Sequence, residues 1–238
     1  MDIARNTMAI QDNPYPHIDV VPLGQAGFRF ACGDRMLYID PYLSDSVENL
    51  EGPRCRRLVP IWRLPNRVTD ADWVLVTHIH RDHCDLETLL PLSEASPQCR
   101  FIGPGEVCTH LTHHGLTVDR VLMAPESWLE LAPGLRVHSV PAAHPRVEVD
   151  DAGHWKCVGY VLEFAGRRFY HSGDTSLDPQ LFESLEALKP IDVAILPVNE
   201  HNFYRERLGI IGNMGLRDAF FFARDLGVST LVPMHWDM

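Results

Sequence analysis

The sequence predicts an α/β fold in which two β-sheets pack together and carry helices on their outer faces. Three observations predict it. Each half of the chain opens with short strand-like runs separated by Gly or Asp punctuation, as in a meander. Each half then reaches a continuous apolar run, "DWVLVT" and "IDVAILPV", of the kind that suits a strand buried on both faces. Helical patterns alternate with these runs, and no internal repeat, low-complexity tract or linker interrupts them. At 238 residues with 45% hydrophobic content, the chain is long enough for one substantial core.

Taken in order, residues 1–16 read as an N-terminal extension and 17–238 as one domain. Strands are expected at 17–23, 27–32 and 35–40. The Arg/Pro-rich tract 53–67 follows, and then a strand at 72–77. Asp85 is placed to cap a helix beginning "LETLLPL", because its carboxylate can accept from the first free amides. "RFIGP" is a short strand, and "GEVCTHLTHHG" is a helix closed by Gly115. Further strands are expected at 119–123, 128–131, 135–140, 158–164, 167–172, 191–198 and 229–234. Helices are expected near 178–188 and over 215–227. In the latter, Phe220, Phe221 and Phe222 read as core. The chain stops three residues after His235, so a C-terminus that continues further is also an expectation.

Composition narrows the function. A net charge of −11 argues against nucleic acid or an anionic membrane as the main partner, and no apolar run is long enough to span a bilayer. Six scattered cysteines without a C-x-x-C pair suit reduced thiols, and the polar N-terminus lacks a signal-peptide core, so a cytoplasmic location is expected. The tract 53–67 holds five arginines and no acid. It reads either as a solvated loop or subunit contact, or as an anion-attracting flap over a site.

The chemistry concentrates in "THIHRDHCD" (77–85). His78 and His80, two apart on an extended segment, point the same way. Asp82 and His83 come after the chain has turned and can aim at a second point nearby. Two imidazoles facing one position, with a carboxylate and an imidazole facing its neighbour, describe a pair of divalent ions: zinc or manganese, with iron also compatible. His144 in "PAAHP", Asp174 in "HSGDT" and His235 in "PMHWD" each follow a strand and complete the donor set, with Gly173 allowing a sharp turn. Cys84 reads as packing. His110, His113 and His114 lie on a helix surface.

These four motifs, in this order, resemble the metallo-β-lactamase-fold hydrolase superfamily from about His17 onward. The resemblance implies an αβ/βα four-layer sandwich with a dinuclear centre on one edge. It implies that His78, His80 and His144 hold one metal, that Asp82, His83 and His235 hold the other, and that Asp174 bridges them. Asp40 in "YIDPYL" would support the metal-binding loop from behind, and His171 is a second candidate for that support. A water shared by two cations becomes a hydroxide at neutral pH, and Asp82 would shuttle its proton.

"FIGP", "YHSGDT", "IDVAILPV" and "LVPMHWD" further resemble the branch containing L-ascorbate-6-phosphate lactonase. That branch implies opening of a lactone or ester of a small, anionic, sugar-derived molecule, and implies self-association. A phosphodiesterase of the N-acyl-phosphatidylethanolamine phospholipase D type is the alternative, and a non-catalytic metal-binding protein is a third reading. Substrate contacts are expected in the loop 199–214, from His201, Asn202, Tyr204, Arg205 and Arg207; surface ion pairs are the rival reading for its charged members.

Overall fold

The computed structural model describes residues 17–207 and 209–237; the expected extension 1–16 and Met238 lie outside them. The first sheet contains β1 (Asp19–Gly24), β2 (Gly27–Cys32), β3 (Arg35–Ile39), β4 (Trp73–Leu75), β5 (Arg100–Gly103) and β6 (Val121–Met123), in that spatial order. The second contains β7 (Leu129–Ala132), β8 (Leu135–Pro141), β9 (Val158–Phe164), β10 (Arg167–His171), β11 (Val193–Pro197) and β12 (Thr230–Met234), also in sequence order. Each sheet begins with antiparallel hairpins and ends with parallel strands. Parallel neighbours need a crossover, and helices supply most of them. These are α2 (Leu86–Ala95) and α3 (Gly105–His113) on the first sheet, and α4 (Pro179–Glu186) and α6 (Leu216–Leu226) on the second. Two short helices, α1 (Ser46–Glu51) and α5 (Phe203–Arg207), lie in loops.

Strand alternation sorts the side chains into three apolar layers. Phe28, Phe30, Leu37, Ile39 and Leu75 meet Val137, Tyr160, Leu162, Phe164 and Ile195 between the sheets. Tyr38, Val74 and Phe101 turn outward onto Leu89, Leu92, Val107 and Leu111 of the first helix pair. Val161, Tyr170 and Leu196 turn outward onto Leu181, Leu185, Phe222 and Leu226 of the second. Helix, sheet, sheet, helix is the expected αβ/βα sandwich.

The local signals behave as their chemistry requires. Asp85 caps α2, accepting from the Glu87 amide at 3.3 Å. Gly227 closes α6 in a left-handed conformation (φ 73°), where a glycine has no Cβ to clash. Phe220, Phe221 and Phe222 correct the expectation of three core residues. Phe222 is buried, but Phe220 is 58% and Phe221 39% exposed. Three consecutive helical residues sweep about 200°, so they cannot all face one sheet.

Tyr160 joins the two sheets directly. From β9 its buried hydroxyl donates to the Val76 carbonyl just past β4, at 2.8 Å. Tyr160→Phe leaves that carbonyl buried without its donor and is expected to cost about 1–3 kcal/mol. Urea denaturation measures this; an unchanged midpoint would show that the tie contributes nothing.

Candidate metal centre

The strands β3, β4, β8, β10 and β12 all end at one edge, and the chain places a polar residue just beyond each: Asp40, His78, His144, Asp174 and His235. The segment after β4 leaves the sheet at Thr77 and turns through His80–His83 before α2 begins. Asp40 fixes this turn. Wholly buried, its carboxylate accepts from the Thr77 amide (2.8 Å) and the Thr77 hydroxyl (2.6 Å), and pairs with His83 Nδ1 (2.7 Å). His83 Nε2 is thereby aimed at Asp82 and Asp174, each 3.5 Å away.

The donors fall into overlapping groups. Ring nitrogens of His78, His80 and His144 lie within 4.8 Å of one another, as do donors of Asp82, His83 and His235, and of His78, His83 and Asp174. His80 Nδ1 stands 2.9 Å from His78 Nε2 and 3.2 Å from His144 Nε2. His235 Nε2 lies 3.1 Å from Asp82 and 3.4 Å from Asp174. The other Asp174 oxygen is 3.7 Å from His144 Nε2, so one carboxylate faces both ends of the cluster. Gly173, at φ +58°, makes that approach feasible, because a Cβ there would lie 2.8 Å from Thr77 Cβ.

Three buried atoms test whether the cluster fits a cation. His83 Nε2, Asp174 Oδ1 and His235 Nε2 have no hydrogen-bond partner of proper geometry, yet they converge on one another. Unsatisfied buried polar atoms are rare and costly. Here they supply imidazole nitrogen and carboxylate oxygen, the donor set of zinc, manganese or iron sites. The residues fit the group.

The electrostatics agree. Burial, then the neighbouring His83 charge, holds the His78 imidazole well below its usual range; burial also lowers His80 and His144. His83 is the opposite case. Burial works against its charge, but Asp82, Asp174 and Asp40 outweigh it and raise the imidazole well above 6.5. His235 is raised against burial by Asp174 and Asp82. Burial alone would raise Asp82, but His83 and His235 bring it down to about 2. The cluster therefore divides into an end where burial favours neutral imidazoles and an end where two carboxylates draw protons toward His83 and His235.

His171, buried beneath the edge, donates from Nε2 to the Ala26 carbonyl (2.8 Å) and accepts at Nδ1 from the Gly173 amide (3.2 Å). It thus holds the turn that carries Asp174. Cys84 is buried packing, its thiol pushed up to about 12 by burial. His110 is half-buried on α3, with His113 and His114 exposed near its end.

A cleft of about 520 Å³ opens over the cluster, lined by His80, Asp82, His144, Asp174 and His235 at its floor. Its lining also includes Val47, Glu51, Arg54, Arg81, Arg205, Ile210 and Ile211. Of the loop residues expected near substrate, Arg205 lines this cleft. His201 pairs with Glu206 at 3.0 Å, Asn202 caps α5 by accepting from Tyr204 and Arg205 amides, Tyr204 is 76% exposed, and Arg207 lies over the Phe203 ring. The Arg-rich tract divides similarly. Arg54 reaches the cleft, whereas Arg57 is buried and donates to the carbonyls of Leu23, Tyr42 and Val59. Sequence reasoning missed Arg54 as a cleft residue distinct from its neighbours, together with Arg81, Val47, Ile210, Ile211 and Asn199. Arg81, inside the His/Asp motif, was the one with a visible signal.

Residues 35–236 match the family model described as the beta-lactamase superfamily domain. A metal-dependent hydrolase of Methanoculleus marisnigri is 30% identical over 220 residues, which span 90% of this chain and 79% of that protein. A metal-dependent hydrolase of Pyrococcus abyssi is 27% identical, over 90% of this chain and 83% of its own length. Among solved structures, a metallo hydrolase from the archaeon Ignicoccus hospitalis superposes with a TM-score of 0.65 at 22% identity, over 92% of this chain and 82% of that one.

Because Asp82, Asp174 and Asp40 raise His83 well above the usual imidazole range, and Asp174 and Asp82 raise His235 as well, a cation at this end competes with protons. Titrating zinc into the metal-free protein at pH 7 is therefore expected to release protons, and affinity is expected to fall as pH is lowered. Calorimetry in buffers of different ionisation heat counts the protons; zero release would contradict the charge assignment.

Proposed function

This chain belongs to the beta-lactamase superfamily, and on that premise we propose that it is a metal-dependent hydrolase of small anionic esters or lactones. The observation that carries the reading is the trio of orphaned buried donors within seven converging His and Asp side chains. His78, His80 and His144 would hold one divalent ion and Asp82, His83 and His235 a second, with Asp174 shared between them. Such ions supply an acidified water and polarise the substrate oxygen under attack.

The remaining work falls to the chain. Asp82 lines the cleft floor with one oxygen 3.1 Å from His235, so its carboxylate can take a proton from the attacking water and return it to the leaving alkoxide. Arg54, Arg81 and Arg205, against the single acid Glu51, give the cleft lining above the His and Asp cluster an excess of positive charge on a chain of charge −11, which favours an anionic substrate. Val47, Ile210 and Ile211 supply apolar walls that exclude water around the scissile bond. The cleft suits a small molecule, and no helix among the described residues is long and apolar enough to cross a membrane. The resemblance to sugar-phosphate lactonases supports a sugar-derived acid as the substrate.

The test is turnover by zinc- and manganese-loaded protein of sugar-acid lactones, aryl esters and bis-p-nitrophenyl phosphate. Lactone or ester hydrolysis that a chelator abolishes is expected; rapid phosphodiester turnover with inert lactones would replace this reading by the phosphodiesterase one. Asp82→Asn is expected to lower kcat at least about 100-fold. Retained kcat would remove Asp82 from the mechanism.

A further inference from the structure

We propose that Asn199, backed by Asn213, is a positioning residue: its side-chain oxygen accepts the Nδ1 proton of His235 and so commits His235 Nε2 to the metal. The inference rests on the metal-centre reading given above and adds to it a residue pair outside the donor set.

The geometry is a short buried chain. Asn199 Nδ2 lies 3.3 Å from His235 Nδ1, and Asn213 Nδ2 lies 3.1 Å from Asn199 Oδ1. All three side chains are buried, and Asn213 Oδ1 has no partner. A primary amide is nearly symmetric in shape, so half a turn about its terminal bond exchanges oxygen and nitrogen without disturbing its neighbours. In the orientation just described, both amides donate toward His235. Nδ1 would then be an acceptor, and a neutral ring would carry its proton on Nε2, facing Asp82 and Asp174.

A ring in that state has no lone pair for a cation. If Nε2 is to bind one, Nδ1 must keep its hydrogen, and that hydrogen needs a buried acceptor. With both amides turned, His235 Nδ1–H donates to Asn199 Oδ1 and Asn199 Nδ2 donates to Asn213 Oδ1, while Asn213 Nδ2 takes the position that has no partner in either orientation. The same two contacts survive with their direction reversed. The arrangement parallels His83, whose Nδ1 is held by Asp40. A second carboxylate beside His235 would add negative charge next to Asp82 and Asp174; an amide supplies the acceptor without it.

The backbone is built to hold the pair together. Asn199 follows β11 and forms an isolated β-bridge with Gly215. The Glu200 amide donates to the Met214 carbonyl (3.1 Å), and the Met214 amide to the Thr175 carbonyl (2.9 Å), one residue past Asp174. The two ends of the loop 199–214 are thereby pinched beside His235, while its middle forms a wall of the cleft.

Zinc affinity of the full chain, measured by chelator competition, tests the proposal. Asn199→Leu removes the acceptor and is expected to weaken zinc about 10- to 100-fold. Asn199→Asp keeps an acceptor and is expected to bind within a few-fold of the parent, a rescue that loss of packing would not give. Leu at wild-type affinity, or Asp as damaging as Leu, would overturn the proposal; the latter would mean that the amide donates to the ring. Should Asn199→Leu fail to fold, neutron diffraction from deuterated zinc-loaded crystals decides directly. Oxygen of Asn199 facing a deuterated Nδ1 is expected, and an ND₂ group facing it overturns the inference. A parent protein that binds no zinc in this cluster would overturn the metal-centre reading itself, which an inert Asn199 in a zinc-binding parent would not.

Discussion

The Asp40 carboxylate is the constraint on which the metal-binding edge depends. It sits at the end of β3 in a left-handed conformation (φ 45°) that a non-glycine residue adopts at a cost of about 1–3 kcal/mol. Its amide donates to Leu75 at 2.9 Å, and its two oxygens hold the Thr77 backbone, the Thr77 hydroxyl and His83. Those bonds join two parallel strands at their ends and set the direction in which 77–85 leaves the sheet. His235 repeats the device on the opposite sheet. It too is left-handed (φ 60°), and its amide donates to Gln25, whose own amide is held by Asp237 at 2.8 Å. Strain at both positions is balanced by protein-only hydrogen bonds, which pre-organise the donors at this edge.

That pre-organisation creates an electrostatic problem as well as a site. Seven His and Asp side chains crowd one edge, most of them buried, where unpaired charge is costly. Asp82 and Asp174 favour protons on His83 and His235, raising both imidazoles against the effect of burial. Divalent ions would replace those protons and satisfy the orphaned nitrogen and oxygen atoms together. The chemistry proposed for the protein follows from this exchange, and the cleft above it only selects what reacts.

Much of the fold was legible because its signals are local. The apolar runs ending in "WVL" and "VAILP" became buried parallel strands, and Asp85 and Gly227 marked helix ends through their own backbone geometry. The four motifs carrying donors were legible because each follows a strand, and parallel strands end at a common edge. What escaped depends on distance along the chain. Asn199 and Asn213 are 14 residues apart, and Asn199 is 36 from His235, so no window reveals that they touch. The role of Arg57 was hidden for a related reason: its acceptors are carbonyls of Leu23 and Tyr42, and no sequence pattern marks a carbonyl. Helix α1 is six residues long without a side-chain cap, too short for periodicity to show.

The central claim is that these side chains form a ready-made site for two cations. Anomalous diffraction from a crystal of the zinc- or manganese-loaded protein, collected at the metal edge, tests it most directly. Two peaks are expected, one among the donors of His78, His80 and His144 and one among those of Asp82, His83 and His235, with the Asp40–Thr77–His83 bonds unchanged. A single peak, or peaks lying elsewhere such as beside His110 and His114, would contradict it.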